Sequence, residues 1–268
     1  MKKQYIVIGV VVLFLVSIFS GCFGPKTTEY FDEEYEVDEN TVLNVATING
    51  QIEIKTYDGD TVLVNAIKKT SFGQEELDKI EINVIEGENE LEIEVEYLGQ
   101  RLTTPSVDMN IKIPEKVTVD SVTTSNGAIQ ISGVKGDVNA KSSNGAIIIE
   151  DVSGYVSATT SNGRIEVKET TGIKNLESSN LGIFAEVNDF KGNISISTSN
   201  GGITVYINSS LNANIEMSTS NGQITISGLS LNLTTSEEKY KVGKLGEGGN
   251  TIDIQTSNGN INLYKLEN

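Results

Sequence analysis

The stretch TSNGAIQISGVKGDVNAKSSNGAIII, from Thr124 to Ile149, contains Ser-Asn-Gly twice, at 125–127 and 143–145, each followed by a short β-prone run. Asparagines in the same setting recur at Asn126, Asn144, Asn162, Asn180, Asn200, Asn221 and Asn258. The first three intervals are eighteen residues each, the next are twenty and twenty-one, and the last, thirty-seven, is close to two periods. A fixed period of this kind marks a repeat architecture. Each unit reads apolar-x-hydroxyl-x-Asn-Gly-x-apolar-x-apolar, so apolar residues alternate on both sides of Asn-Gly and two short strands with one buried face are expected.

Two architectures compete for that pattern. Asn-Gly between alternating runs is a strong hairpin signal, which favours a meander or propeller. A propeller blade, however, needs about forty residues. In a parallel β-solenoid, equivalent residues of successive coils stack at ~4.8 Å, so identical columns are rewarded coil after coil. In an antiparallel meander they would not meet. The expected fold is therefore all-β, a β-solenoid of about 18 to 20 residues per coil. Ile129, Ile147, Ile165, Ile183, Ile203, Ile224 and Ile261, in that order, would form one interior column. Ile131, Ile149, Val167, Ala185, Val205, Ile226 and Leu263 would form the next. Inward hydroxyls at Thr124, Ser142, Thr160, Ser178, Thr198, Thr219 and Thr256 would bond along the stack.

At the corner, Asn is expected to bond the next coil's backbone while tolerating left-handed dihedrals, and Gly to let the chain turn. These turn positions are Asn126, Gly127, Asn144, Gly145, Asn162, Gly163, Asn180, Asn200, Gly201, Asn221, Gly222, Asn258 and Gly259. Leu181 stands where the glycine would follow Asn180, so that coil should turn differently. Leu233 and Thr235 keep the pattern while Glu237 and Glu238 replace Asn-Gly, which reads as a degenerate repeat. Upstream, Val45 to Ile54 (VATINGQIEI) fits the same template.

The chain has 268 residues, no His and a net charge of -17. Without His, a Ser-His-Asp triad or a typical zinc site cannot be built. The acidic balance disfavours nucleic acid, which is bound by clustered Lys and Arg. No cofactor or metal is expected. Residues 1–24 carry Lys2 and Lys3, an apolar run from Tyr5 to Phe19 and then small residues, which is the layout of a signal peptide. The run is shorter than the ~20 residues of a spanning helix. Phe19-Ser20-Gly21-Cys22 resembles the lipobox of prokaryotic lipoproteins, with Phe19 where Leu is preferred. Cys22 is the sole cysteine, so it has no disulfide partner within the chain, and lipidation accounts for it. The alternative is an uncleaved membrane anchor with an incidental Cys; either way the remainder is exported and tethered at the outer face of the membrane. The expected segments are a signal peptide at 1–21, lipidated Cys and acidic linker at 22–40, less regular β-repeats at 41–119 and regular Ser-Asn-Gly repeats at 120–268. Seven carboxylates lie between Glu29 and Glu39 and ten between Glu75 and Glu96; the second group could form a cap, further coils or a separate lobe.

Ile113-Pro114, the Val-rich run after it, Thr124-Ser125-Asn126-Gly127, Gly133, Gly136-Asp137-Val138 and Ser143-Asn144-Gly145 together resemble the putative-adhesin family of β-strand-repeat proteins, a domain of unknown function. The resemblance runs roughly from Leu43 to the C-terminus. It implies a right-handed parallel β-helix, exported or membrane-attached, and brings no catalytic residues. The leading functional expectation is a non-enzymatic, membrane-anchored surface module that binds a surface protein or glycan, with end-on self-association through an uncapped solenoid end. The alternative is a polysaccharide-acting lyase or hydrolase, which needs carboxylates at set separations. Glu150, Glu166 and Glu177 are the best available acids, without an aromatic platform beside them. An ice- or crystal-binding face would need ranked outward threonines, and these repeats put most of theirs inside. Asn193, Asn208 and Asn232 stand in Asn-x-Ser/Thr sequons, with Asn208 the best placed for glycosylation.

Overall fold

The computed structural model describes residues 26–98 and 105–267. The repeat pattern resolves into two ladders of strands that share one core, a β-solenoid-like stack. In the first ladder the strands that follow Asn-Gly pair in parallel and in strict register, with Ile129, Ile147, Ile165, Ile183 and Ile203 in one row. In the second, the strands that precede Asn-Gly do the same, aligning Thr124, Ser142, Thr160, Ser178 and Thr198. The strands Ile147–Thr160 and Ile165–Ser178 run through both ladders. The isoleucines of that row are at most 3% exposed, and their neighbours two residues on are buried too. Burial of each is worth roughly 1.5–3 kcal/mol, which makes these columns the chief apolar contribution to the stack.

The order of the coils departs from the order of the sequence at both ends. Ile261–Lys265 lies between Ile203–Ile207 and Ile224–Ser227, so the column runs Ile203, Ile261, Ile224. Thr251–Thr256 is likewise inserted between Phe190–Thr198 and Ala213–Thr219. At the other end Val42–Ala46 and Ile52–Thr56 sit between the later strands Glu90–Tyr97 and Ser106–Ile113 on one side and Thr118–Thr124 and Ile129–Lys135 on the other. Asn49-Gly50 thereby joins the repeat. A period gives only the phase of a coil; which slot it fills is decided by which faces remain unburied.

Antiparallel strands close most of the ladder ends. Thr61–Thr70 pairs with Ser106–Ile113, and Thr27–Glu36 pairs along its whole length with Thr61–Thr70. The acidic linker expected over 22–40 is thus corrected in its described part. Phe31 and Tyr35 alternate with the acids, pack against the core and make 27–36 an edge strand. The acidic region 75–96 is a short helix, Gln74–Leu77, and a hairpin of Ile80–Glu86 with Glu90–Tyr97 that caps the second ladder. At the C-terminal end, Leu231–Ser236 is no degenerate coil. It pairs antiparallel with Tyr240–Leu245, which pairs antiparallel with Ala213–Thr219.

The Ser-Asn-Gly corner works differently from a left-handed turn. No Asn of the repeat has positive φ, and Gly50, at 133°, is the one glycine of the corner column that does. Glycine is required by close approach. A Cβ on Gly127 would lie 1.6 Å from the carbonyl oxygen of Gly50; on Gly145, 1.7 Å from that of Gly127; on Gly163, 1.8 Å from that of Gly145. The inward hydroxyls bind these same carbonyls: Ser142 donates to Gly127 (2.9 Å), Thr160 to Gly145 (3.0 Å), Ser178 to Gly163 (2.9 Å) and Thr256 to Gly201 (2.8 Å). Ser142 and Thr160 also accept from the corners of their own coils, the Gly145 N–H donating to Ser142 (2.8 Å) and the Gly163 N–H to Thr160 (3.1 Å). Leu181 keeps this contact, lengthened to 3.3 Å, and turns its side chain outward, 47% exposed.

Left-handed backbone does occur, at the other bend of the coil. Gly133 (φ 69°), Asp151 (φ 53°) and Glu169 (φ 50°) occupy equivalent places in consecutive coils. A side chain costs about 1–2 kcal/mol in that conformation. Replacing Gly145 by Ala tests the close approach. The added methyl cannot turn away from a backbone oxygen, so a loss of about 1–3 kcal/mol is expected in urea unfolding. An unchanged midpoint would show that the coils are not in contact there.

Candidate interaction surfaces

Outside the buried hydroxyls, the corner carries an exposed ladder of amides. Asn126 donates to Asn49 (2.5 Å), Asn144 to Asn126 (2.6 Å), Asn162 to Asn144 (2.7 Å), Asn180 to Asn162 (2.7 Å) and Asn200 to Asn180 (3.0 Å). The inserted coil continues the ladder, Asn258 to Asn200 and Asn221 to Asn258, both at 2.9 Å. The principal partner of each Asn is therefore the preceding side chain, with longer contacts to Ser backbone oxygens near 3.4 Å. The arrangement stiffens the corner and uses one donor and one acceptor of each interior amide.

The outer face of the first ladder holds the charged and aromatic groups. Lys168 pairs with Glu166 and approaches Glu150 at 4.0 Å, and the Glu166 hydrogen bond raises its pKa. Arg164 reaches Glu166 from the other side at 3.4 Å. Glu177 does not join them; it lies on the second ladder beside a shallow groove of Ser and Thr that includes Ser197, Ser218 and Ser257. Next to the ion pairs runs a strip absent from the sequence-based expectation. Phe184 and Tyr206 have ring centroids 5.4 Å apart, Tyr206 and Tyr264 5.2 Å apart, tilted by 36° and 38°, with Lys168 5.1 Å from the Phe184 centroid. Tyr206 and Tyr264 share a phase, three residues after the column isoleucine, which was the available signal. The insertion of Ile261–Lys265 beside Ile203–Ile207 is what brings them together.

A second cluster fills the opposite bend. Tyr155 donates its hydroxyl to Asp189 (2.6 Å), which raises the phenol's pKa, and Lys191 lies 4.0 Å from the centroid of its ring. Asp137 accepts from Lys174 (2.7 Å) and from the Tyr155 backbone N–H (2.9 Å); these bonds, led by Lys174, lower its pKa. Among the described residues no group of three or more metal-ligating side chains is gathered, and no helix is long and apolar enough to cross a membrane.

Residues 34–264 match the family Toastrack DUF4097. The chain belongs to that family. Solved structures similar to this Toastrack chain include a putative cell adhesion protein from Clostridium sporogenes (18% identity, 90% of this chain and 100% of that one, TM-score 0.33). Others are putative adhesins from Bacteroides fragilis (12%, 89% and 97%, TM-score 0.33) and Parabacteroides distasonis (12%, 91% and 98%, TM-score 0.36). No curated protein matches the chain.

The three sequon asparagines of the Toastrack domain differ in their surroundings. Asn193 accepts from Thr251 N–H (2.9 Å) and so ties down the inserted strand. Asn208 accepts from both the backbone and the hydroxyl of Ser210 (3.0 and 2.8 Å). Asn232 is exposed on the edge strand Leu231–Ser236. Cys22 and the 1–21 leader lie outside the described residues. The Asp137 site carries a pH prediction. A carboxylate with a depressed folded-state pKa adds stability above its ordinary pKa and loses it as pH falls through the depressed value. The stability gap between wild type and Asp137→Asn should therefore shrink on acidification below about pH 4, as read by urea unfolding. A gap independent of pH would contradict the assignment.

Proposed function

We propose that this Toastrack chain is a non-enzymatic surface lipoprotein, anchored through lipid on Cys22 to the outer face of the membrane, whose β-helical domain is an adhesin or envelope interaction scaffold. The observation that carries the reading is the placement of the carboxylates. Glu150 and Glu166, the two that come closest to an acid pair, share Lys168, and Glu177 stands apart on the other ladder. A general acid and base need separate environments that drive their pKa values apart; these two carboxylates instead face one and the same lysine. What the outer faces offer is long rows of side chains on a rigid frame, suited to recognising a surface protein or glycan.

The coil is taken as right-handed, with about 18 to 20 residues, because parallel strands joined across a crossover are right-handed in ~98% of cases. The first ladder, counted from Thr27–Glu36 to Ile224–Ser227, stacks eleven strands, giving a length of roughly 50 Å at the spacing of paired strands. That holds an interaction surface clear of a bilayer.

Cells producing the full chain, compared with cells producing Cys22→Ser, test the anchor and the role together. Wild-type protein should stay with the membrane fraction, carry lipid on Cys22 by mass spectrometry and confer binding to immobilised envelope glycans or proteins. The variant should be released and confer none. Membrane retention of the variant would overturn the anchor. Cleavage of an acidic glycan by wild type but not by Glu166→Gln would overturn the non-enzymatic reading in favour of the glycan-acting alternative.

A further inference from the structure

The two ends of the stack are unlike. At the N-terminal end both ladders finish on strands that carry charge: Thr27–Glu36 with Glu29, Asp32, Glu33, Glu34 and Glu36, and Ile80–Glu86 with Glu81 and Glu86. Charged edges of this kind prevent edge-to-edge association. At the C-terminal end, Met217–Ser236 contains no Asp, Glu, Lys or Arg, in a chain of net charge -17. Both C-terminal edge strands, Ile224–Ser227 and Leu231–Ser236, fall within it.

The same end is stepped. The first ladder stops at Ile224–Ser227, with no strand beyond it among the described residues. The second continues past the level of that coil by two strands, Tyr240–Leu245 and Leu231–Ser236. Two strand spacings make a ledge of about 10 Å. Leu229, Leu231 and Ile226 are partly buried at this end and Leu233 is 43% exposed. The amide ladder ends on Asn221, whose side-chain oxygen receives no bond among the described residues.

We propose that this end binds a second copy of the same chain, tail to tail about a two-fold axis. Each copy's overhanging Leu231–Ser236 fills the other's ledge and meets its Ile224–Ser227. A two-fold contact is self-complementary, so one ledge and one overhang suffice to satisfy both edges. A head-to-tail stack is excluded by the N-terminal antiparallel caps and by their carboxylates. Charge favours this occupant as well: the net repulsion between two copies of a strongly acidic chain is weakest where the contacting edge strands carry no charge. This inference is independent of the adhesin reading and extends it, since the dimer would present two sets of outer faces with both acidic ends pointing away from the joint.

Sedimentation equilibrium of the full chain in detergent tests it. Wild type should show a concentration-dependent monomer–dimer equilibrium. Thr225→Glu/Ser227→Glu, at two exposed positions of the edge, should be monomeric over the same range, with the unfolding midpoint of wild type measured at concentrations where wild type too is monomeric. Leu233→Glu, on the overhang, should act the same way, and Thr28→Glu at the far end should stay dimeric. A wild type that is monomeric throughout, or a dimer that survives both C-terminal variants, overturns the proposal.

Discussion

Everything in this molecule depends on the distance at which one coil can lie on the next at the Ser-Asn-Gly corner. The carbonyl oxygens of Gly50, Gly127 and Gly145 crowd the next coil's corner glycine, so that a methyl group on Gly127, Gly145 or Gly163 would sit within 2 Å of one of them. The buried hydroxyl of the following coil donates to that oxygen and accepts from its own coil's N–H, so each hydroxyl bridges two coils in a short N–H···O–H···O=C relay, as Ser142 does between Gly145 and Gly127 and Thr160 between Gly163 and Gly145. Such relays polarise cooperatively, and their interior position makes any missing member costly. The isoleucine columns need only a constant spacing, and the corner sets it.

That corner also explains what the sequence made legible. Ile, Asn, Gly and hydroxyl each recur because each meets its own kind in the neighbouring coil, so the parallel stack, its columns and its register could be read from the eighteen-residue phase. The reason for glycine could not. A turn that needs φ above zero and a corner that needs a missing Cβ demand the same residue, and only the backbone angles separate them. The left-handed positions fall instead at Gly133, Asp151 and Glu169, where sequence gives no uniform sign.

The ends were the illegible part, for a different reason. Thr251–Lys265 and Val42–Thr56 have the same phase as every other coil, and phase is silent about which two coils a third will lie between. Strand Thr27–Glu36 was hidden by its acids: Phe31 and Tyr35 supply its inward face, but five carboxylates over ten residues read as a solvated tether. The aromatic strip was hidden by the interleaving, since Tyr206 and Tyr264 are far apart in the chain and adjacent only because Ile261–Lys265 slots in beside Ile203–Ile207. Surface chemistry in a solenoid is set by stacking order, so it inherits whatever the ends do.

The outer faces follow from the same constraint. Side chains that stack at a fixed repeat bond one another, asparagine to asparagine and Lys168 to Glu166, and this leaves a rigid, patterned surface. Native-state hydrogen exchange at the corner tests the account most directly. If the hydroxyl relay sets the coil spacing, the Gly145 and Gly163 amides should be protected to the same degree as those of Ile147 and Ile165 in the core columns. Exchange of these glycine amides at the rate of an exposed turn, with the isoleucines still protected, would contradict it.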